Sequence, residues 1–160
     1  MLFRSAQGNE LRVVAGKGSV LKGYSFHMLV VRKDLYERGD VRTVAQLKGR
    51  KIAVTSPFGS QAFMLQQLLL TGGLRLSDVE LIPLRAPDMP AALQNGAVDA
   101  AIVVEPSATV ATARVGSGVS LMTPDAVVQD FPIAVVVYSP RFRARLETAL
   151  RWMVAYVKGL

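Results

Sequence analysis

The chain contains no cysteine and a single histidine, His27, among its 160 residues. Without cysteine there can be no disulfide, no thiolate metal site and no cysteine nucleophile. One histidine is too few for a His-rich metal centre, and an ordinary Ser-His-Asp triad would have to use His27 itself. We therefore expect no metal, no cofactor and no enzymatic activity.

Long apolar runs are also missing. Runs such as Ala100 to Val104 and Ile133 to Tyr138 are far shorter than the roughly 18 residues that a membrane-spanning helix needs. The opening MLFRSAQGNE lacks the apolar centre of a secretory signal, which leaves either a cytosolic protein or one whose signal has been lost or removed. At 51% apolar residues the chain is nevertheless too hydrophobic to be disordered, so we expect a folded core.

Acidic residues are fewer than basic ones, 12 against 19, which gives a formal net charge of +7. The basic residues are scattered, apart from one modest cluster on a predicted helix at Arg141, Arg143, Arg145 and Arg151. Solvated arginines on a helix are more ordinary than a nucleic-acid surface. The charge therefore favours an anionic small ligand and disfavours nucleic acid.

Apolar segments with strand character alternate with segments of helical spacing. Predicted strands are 11–15, 24–32, 51–55, 79–84, 99–104, 119–122 and 131–138. Predicted helices cover 35–38, 44–48, 59–71 and 89–94, one opens at Glu105-Pro106, and the last starts at Pro140. Short loops between alternating strands and helices predict an α/β fold, a three-layer sandwich with a mainly parallel sheet.

The turn after the third predicted strand is the first candidate site, comprising Ser56, Pro57, Phe58, Gly59, Ser60 and Gln61. Ligands of open α/β sheets bind at the carboxyl ends of strands, and the following helix directs unpaired N–H groups there. The serine and glutamine side chains add hydrogen-bonding groups, and Phe58 can pack on an apolar part of a ligand. A plain strand-to-helix connection with ordinary caps is the alternative. The turn matches neither G-x-G-x-x-G nor the Walker loop, which disfavours a nucleotide.

Three further residues are candidates for ligand contact. Glu105 follows a nearly all-apolar strand, where a carboxylate either caps the next helix or accepts ligand donors in a cleft. No second acidic residue lies nearby in sequence to form an acid–base pair. His27, within a predicted strand, is either structural or has a ligand-binding or catalytic role, and Tyr24 begins that strand.

These segments resemble a known family. LKGRKIAVTSPFGSQAFMLQQLLLTGGLRLSDVELIPL and AALQNGAVDAAIVVEP, with the flanks VVAGKGSVLKGYSFHMLVVRKDL and SPRFRARLETALRWMVAYVKGL, are similar to periplasmic substrate-binding proteins of ABC importers. The nearest branch is the nitrate/sulfonate/taurine type, related to the NMT1/THI5-like proteins. Where that family usually has Trp before Glu-Pro, this chain has Val104. The resemblance covers nearly the whole chain.

The resemblance implies a type II periplasmic-binding-protein lobe plus parts of the other lobe, from an N-terminally truncated chain. It divides the sequence into 1–40 (partial first lobe and crossover strand), 41–135 (the ligand-binding second lobe) and 136–160 (return crossover and first-lobe helix). Ser56 to Gln61 would then form the second-lobe ligand loop, with Glu105 near the cleft between the lobes.

The implied function is the binding of a small organic anion, such as a sulfonate, for delivery to ABC transporter permease subunits. The implied location is periplasmic, or extracellular and lipid-anchored, with membrane contact only through the transporter. Two alternatives remain: an enzyme of pyrimidine-precursor synthesis with the same fold, or the effector-sensing domain of a transcription regulator. Apolar faces left without the missing lobe predict self-association.

Overall fold

The structure is a computed structural model that describes residues 10–160. The described chain divides into two units. The central unit is Val20–Phe131, and the terminal unit joins the described residues up to Ser19 with Pro132–Leu160. From the sequence we expected lobe boundaries near 41 and 135. The first boundary differs because the strand that begins at His27 pairs within the central sheet.

Nine strands and six helices are present in residues 10–160, besides short 3-10 turns. The strands are β1 Arg12–Gly16, β2 Ser19–Val20, β3 His27–Arg32, β4 Lys51–Val54, β5 Glu80–Pro83, β6 Ala100–Val104, β7 Gly118–Met122, β8 Phe131–Pro132 and β9 Val135–Tyr138. The helices are α1 Lys33–Glu37, α2 Ser60–Thr71, α3 Met89–Gln94, α4 Ser107–Thr109 (continued by a π-helical turn, Val110–Arg114), α5 Pro140–Arg143 and α6 Leu146–Lys158.

The central unit is built on a five-stranded sheet with the order β5-β4-β6-β3-β7. Strand β4 runs parallel to β5 and β6, whereas β3 is antiparallel to both of its neighbours, β6 and β7. Four strands therefore share one direction and β3 opposes them, which agrees with the mainly parallel sheet expected from the sequence.

Side chains that alternate along each strand fill two separate cores, one on each face of the sheet. Ile52 and Val54 of β4 pack on one face with Leu65, Leu68 and Leu69 of α2. On the other face, Ala53 packs with residues of α3, α4 and the π-helical turn, namely Met89, Leu93, Ala108 and Ala111. Helices on both faces of a sheet give the three layers that the sequence predicted.

The terminal unit is smaller. Strands β1 and β9 pair antiparallel, with a bulge between Val13 and Ala15. Helix α6 is tied to this pair by the Tyr156 hydroxyl, which donates to the Gly16 carbonyl at 2.5 Å. Within the same unit, the Tyr138 hydroxyl donates to the carbonyl of Ala149 at 2.7 Å.

The end of the chain contains more elements than the sequence predicted. The single strand expected over 131–138 is two strands: β8 pairs with β2 and β9 pairs with β1. The single helix expected from Pro140 is also divided, into α5 and α6. Apolar β-branched residues occur throughout 131–138, so composition alone does not show where the chain changes partner.

Candidate functional site

The candidate site lies at one edge of the central sheet, which we call the carboxyl edge. It comprises the chain just after β4 and β6 (residues 55–61 and 105), the chain that leads into β3 (22–27) and the turn after β7 (123–125). Because β3 is antiparallel to β6, it begins where β6 ends, and His27 pairs with Val104. The N–H of Glu105 extends this pairing by donating to the Phe26 carbonyl at 2.9 Å.

The amino end of α2 is the main feature of the carboxyl edge. Gly59 is its N-cap residue, with an extended backbone at φ −105° and ψ −177°, and no side chain of the described chain caps it. The first intrahelical bond runs from the Phe63 N–H to the Gly59 carbonyl at 3.2 Å. The N–H groups of the first turn, from Ser60 onward, therefore remain available at the positive end of the helix dipole.

Gln61 holds this turn in place. Its side chain is buried, and its amide oxygen Oε1 accepts from both the N–H and the hydroxyl of Thr55, each at 2.8 Å. Two donors on the oxygen fix the orientation of the amide and leave its Nε2 group for another acceptor. On the other side of the turn, the Ser56 hydroxyl accepts from the Phe58 N–H at 3.3 Å, and Phe58 is 81% exposed.

Glu105 caps a helix, which was one of the two alternatives that the sequence left open. Its Oε2 accepts from the Thr109 N–H at 3.1 Å and its Oε1 from the Thr109 hydroxyl at 3.0 Å. The carboxylate is thereby engaged at the start of α4 while remaining at the carboxyl edge. Negative charge at a helix start is stabilising.

His27 is buried, with only 4% of its surface exposed, and its Nδ1 has no hydrogen-bond partner in the described chain. Side chains alternate along a strand, so His27 faces the same side of the sheet as Leu29 and Val31, which pack with α2. Burial lowers the pKa of His27 from 6.5 to about 4. The imidazole is therefore neutral at pH 7.

Tyr24, in contrast, is 80% exposed and lies in a turn rather than in β3. The preceding Gly23, with φ at +79°, donates its N–H to Asp125 Oδ2 at 2.9 Å. The Thr123 side chain and that N–H hold the pKa of Asp125 below its ordinary value. Asp125 was not among the residues predicted from the sequence, although its position just after a predicted strand was a usable signal.

The structure thus brings the turn 56–61, Glu105, His27 and Tyr24 to the same edge of one sheet. What this edge offers is unpaired N–H groups, hydroxyl and amide groups, and exposed aromatic rings. In the described residues no group of three His, Cys, Asp or Glu side chains could hold a metal ion. No helix in the same part of the chain is both long and apolar enough to span a bilayer.

The NMT1-like family profile matches residues 19–158, which is most of the chain. The chain belongs to the NMT1-like family. No curated protein sequence matches this NMT1-like chain.

Solved structures share the fold of this NMT1-like chain. The periplasmic aliphatic sulphonate binding protein SsuA from Escherichia coli matches with a TM-score of 0.72 and 23% identity, over 96% of this chain and 49% of that one. The alkanesulfonate-binding protein SsuA from Xanthomonas axonopodis pv. citri, bound to MOPS, gives 0.73 and 24%, over 95% and 49%. The periplasmic nitrate-binding protein NrtA from Synechocystis PCC 6803 gives 0.71 and 17%, over 88% and 37%.

The NMT1-like chain therefore spans about half the length or less of these solved proteins. The likeness confirms the fold class expected from the sequence, an α/β lobe of the periplasmic-binding-protein type.

Proposed function

We propose that this chain contributes a ligand-binding wall to a solute-binding protein of an ABC importer, and that the ligand is a small organic anion such as a sulfonate. The carrying observation is the uncapped amino end of α2 at Gly59, placed at the carboxyl edge of the sheet. Family membership and the shared fold of the sulfonate- and nitrate-binding proteins support this proposal.

In this site the anion is bound by neutral hydrogen-bond donors rather than by a cationic side chain. The N–H groups of the first turn of α2 direct a positive partial charge at an anion without a lysine or arginine. The Ser60 hydroxyl and the Gln61 Nε2 group supply donors beside them, while Thr55 keeps Gln61 from rotating. Such fixed donors suit a sulfonate, whose three oxygens accept hydrogen bonds in several directions.

The proposed role implies the partners of the chain and its location. The partners are the anion and the permease subunits of the importer, and the location is the periplasm or the outer face of the cell membrane. The resemblance assigns residues 41–135, most of the central unit, to the second lobe, and residues 1–40 and 136–160 to the first lobe and the crossovers. The proposed role is binding rather than catalysis, since the carboxylates described at this edge, Glu105 and Asp125, accept from the backbone N–H groups of Thr109 and Gly23.

A charge-reversal pair tests the proposal. Ser60→Asp places a carboxylate in the first turn of α2, where it stabilises the helix but repels an anion. Ser139→Asp is the matched control: Ser139 is also at a helix start, where its hydroxyl accepts from the Phe142 N–H, but in the terminal unit. Both variants change the net charge equally.

Isothermal titration with methanesulfonate, MOPS and nitrate then measures binding to the 160-residue chain. We expect Ser60→Asp to weaken binding at least about tenfold, the equivalent of about 1.4 kcal/mol, and Ser139→Asp to leave it within about twofold. Equal losses in both variants would assign the effect to net charge and contradict the site. An absence of binding by the unaltered chain to all three anions would reject the proposed ligand class.

A further inference from the structure

Exposed aromatic side chains gather at the carboxyl edge. Tyr24 is 80% exposed and Phe26 is 40% exposed, and both precede β3; Phe58, on the turn before α2, is 81% exposed. Aromatic side chains are normally among the largest contributors to a buried core, so an exposed group of them marks a contact surface. We call Tyr24 and Phe26 the aromatic rim.

Backbone contacts place the rim at the same edge as the candidate anion site. The Phe26 carbonyl accepts from the Glu105 N–H at 2.9 Å, directly beyond the β3–β6 pairing. Tyr24 follows the turn that Gly23 anchors to Asp125 at 2.9 Å. The rim is therefore held by two hydrogen bonds to neighbouring strand ends rather than lying on a long loop.

His27 is an independent sign that a ligand group belongs here. It is 96% buried, since only 4% is exposed, and its Nδ1 has no partner among the described residues. Its ring centroid lies 4.5 Å from that of Phe26, and it faces the side of the sheet that α2 covers. Nearly all buried polar atoms in native proteins have a partner, so an unpaired one beside the rim points to a polar group supplied from outside the chain.

Strand order sets the size of the ligand. Strand β6 lies between β4, which leads to the α2 end, and β3, which the rim precedes. With neighbouring strands spaced ~4.8 Å apart, the two sets of groups are separated by about 10 Å. An inorganic anion is too small to contact both.

The charges set the ligand's orientation. Glu105 follows β6, between the two sets, and Asp125 follows β7 on the far side of β3. Glu105 is equally near both sets and favours neither, whereas Asp125 lies on the rim side and repels a negative group there, and the α2 end attracts one. The anionic group is therefore held at the α2 end, and the part of the ligand that reaches the rim is uncharged.

We propose that the site selects an organic anion with an aromatic ring as its body, that Tyr24 and Phe26 contact this ring, and that an uncharged polar substituent of the ligand pairs with His27 Nδ1. The proposal rests on the proposed function, because it assumes that an anion binds at the α2 end. It replaces a general preference for small anions with a defined class, aryl anions, and it assigns the contact with the ring to two residues.

The test compares benzenesulfonate, methanesulfonate and sulfate by isothermal titration on the 160-residue chain. We expect benzenesulfonate to bind about tenfold more tightly than methanesulfonate, since a stacked ring adds both apolar burial and aromatic contact. Tyr24→Ser and Phe26→Ser should each lower the affinity for benzenesulfonate about fivefold and leave that for methanesulfonate within about twofold. Leu70→Ser is the control, because Leu70 is 51% exposed near the other end of α2.

The outcomes separate this inference from the proposed function. Equal affinity for methanesulfonate and benzenesulfonate, unaffected by both rim variants, would overturn the inference and leave the proposed function standing. If none of the three anions binds, the proposed function fails and the inference with it. Circular dichroism checks that each variant is folded, and Tyr24, being 80% exposed, can be replaced without disturbing the core should Phe26→Ser unfold.

Discussion

The two units of this chain bury their apolar side chains to very different degrees. In the central unit, residues such as Leu29, Ile52 and Leu68 are completely buried, and both faces of the sheet are covered. In the terminal unit, α6 leaves Leu146, Leu150 and Val157 at 66%, 57% and 60% exposure. The central unit thus has a core of its own, whereas the terminal unit consists of a two-stranded sheet and helices.

This difference indicates which unit supplies most of the stability of the chain. A two-stranded sheet with little packing is marginally stable in water, so most of the free energy of unfolding must come from the central unit. The candidate site lies on that stable unit, which suits a site whose donors need fixed positions. The terminal unit, in contrast, has apolar groups still available for a partner.

The largest effect should come from the α2 core. Leu68→Ala should lower the free energy of unfolding by about 2–5 kcal/mol, because Leu68 is completely buried and a cavity remains. Leu150→Ala is the matched control on α6, where a side chain that is 57% exposed should change it by less than about 0.5 kcal/mol. Urea denaturation measures both, and similar losses would show that the terminal unit has a core after all.

The pH dependence of stability should reveal His27. Its folded pKa of about 4 lies below its ordinary 6.5, so between these values the unfolded chain binds a proton that the folded chain does not. Stability is therefore lost as pH falls from about 6.5 towards 4, by at most about 1.4 kcal/mol per pH unit.

His27→Leu should remove this component, which is measured as the difference between the two unfolding profiles. Because the chain has one histidine, the imidazole C–H resonance in a proton NMR titration reports it directly. A midpoint near 6.5 in the folded protein would contradict the buried, neutral imidazole.

A tight backbone approach in the central unit should be sensitive to one methyl group. A Cβ on Gly72 would lie 2.5 Å from the Ala45 backbone nitrogen, so Gly72→Ala should cost about 1–3 kcal/mol in the free energy of unfolding. Gly16→Ala in the terminal unit is the control, since no atom lies within 4 Å of its Cβ position. Thermal unfolding of both variants measures the contrast, and an equal response would argue against close packing at Gly72.

A substitution on the exposed face of α6 should change the free energy of unfolding least, but it should change self-association measurably. We expect the chain to self-associate through the exposed apolar stripe of Leu146, Leu150 and Val157, because these side chains lose water contact on association. Leu150→Lys should shift light scattering towards the monomer with little change in stability. An unaltered chain that remains monomeric at high concentration would contradict this expectation.

The sequence predicted local elements well and long-range pairing poorly. Apolar runs flanked by turn residues located β4 and β6 to within a residue, since both strands are buried on two faces. Nothing local predicts that β3 inserts between β6 and β7, or that the expected 131–138 strand divides between two partners. Strand order is decided by tertiary packing, which periodicity does not encode.

The site shows the same limit. The turn 56–61 could be predicted because a strand, a glycine and a helix follow one another along the chain. Asp125 could not be linked to Gly23, since 102 residues separate them and only the β3–β7 pairing brings them together. Glu105 was identified as a candidate from the sequence, but its role was not, because that role depends on the orientation of Thr109.

The most direct test of the account is a two-dimensional amide NMR titration of the chain with methanesulfonate. We expect the largest shift changes at the N–H groups of Ser60 and Gln61, in the first turn at the uncapped end of α2. A response confined to the arginine-lined depression of the terminal unit, around Arg141 and Arg145, would contradict it. So would the absence of any shift at saturating methanesulfonate.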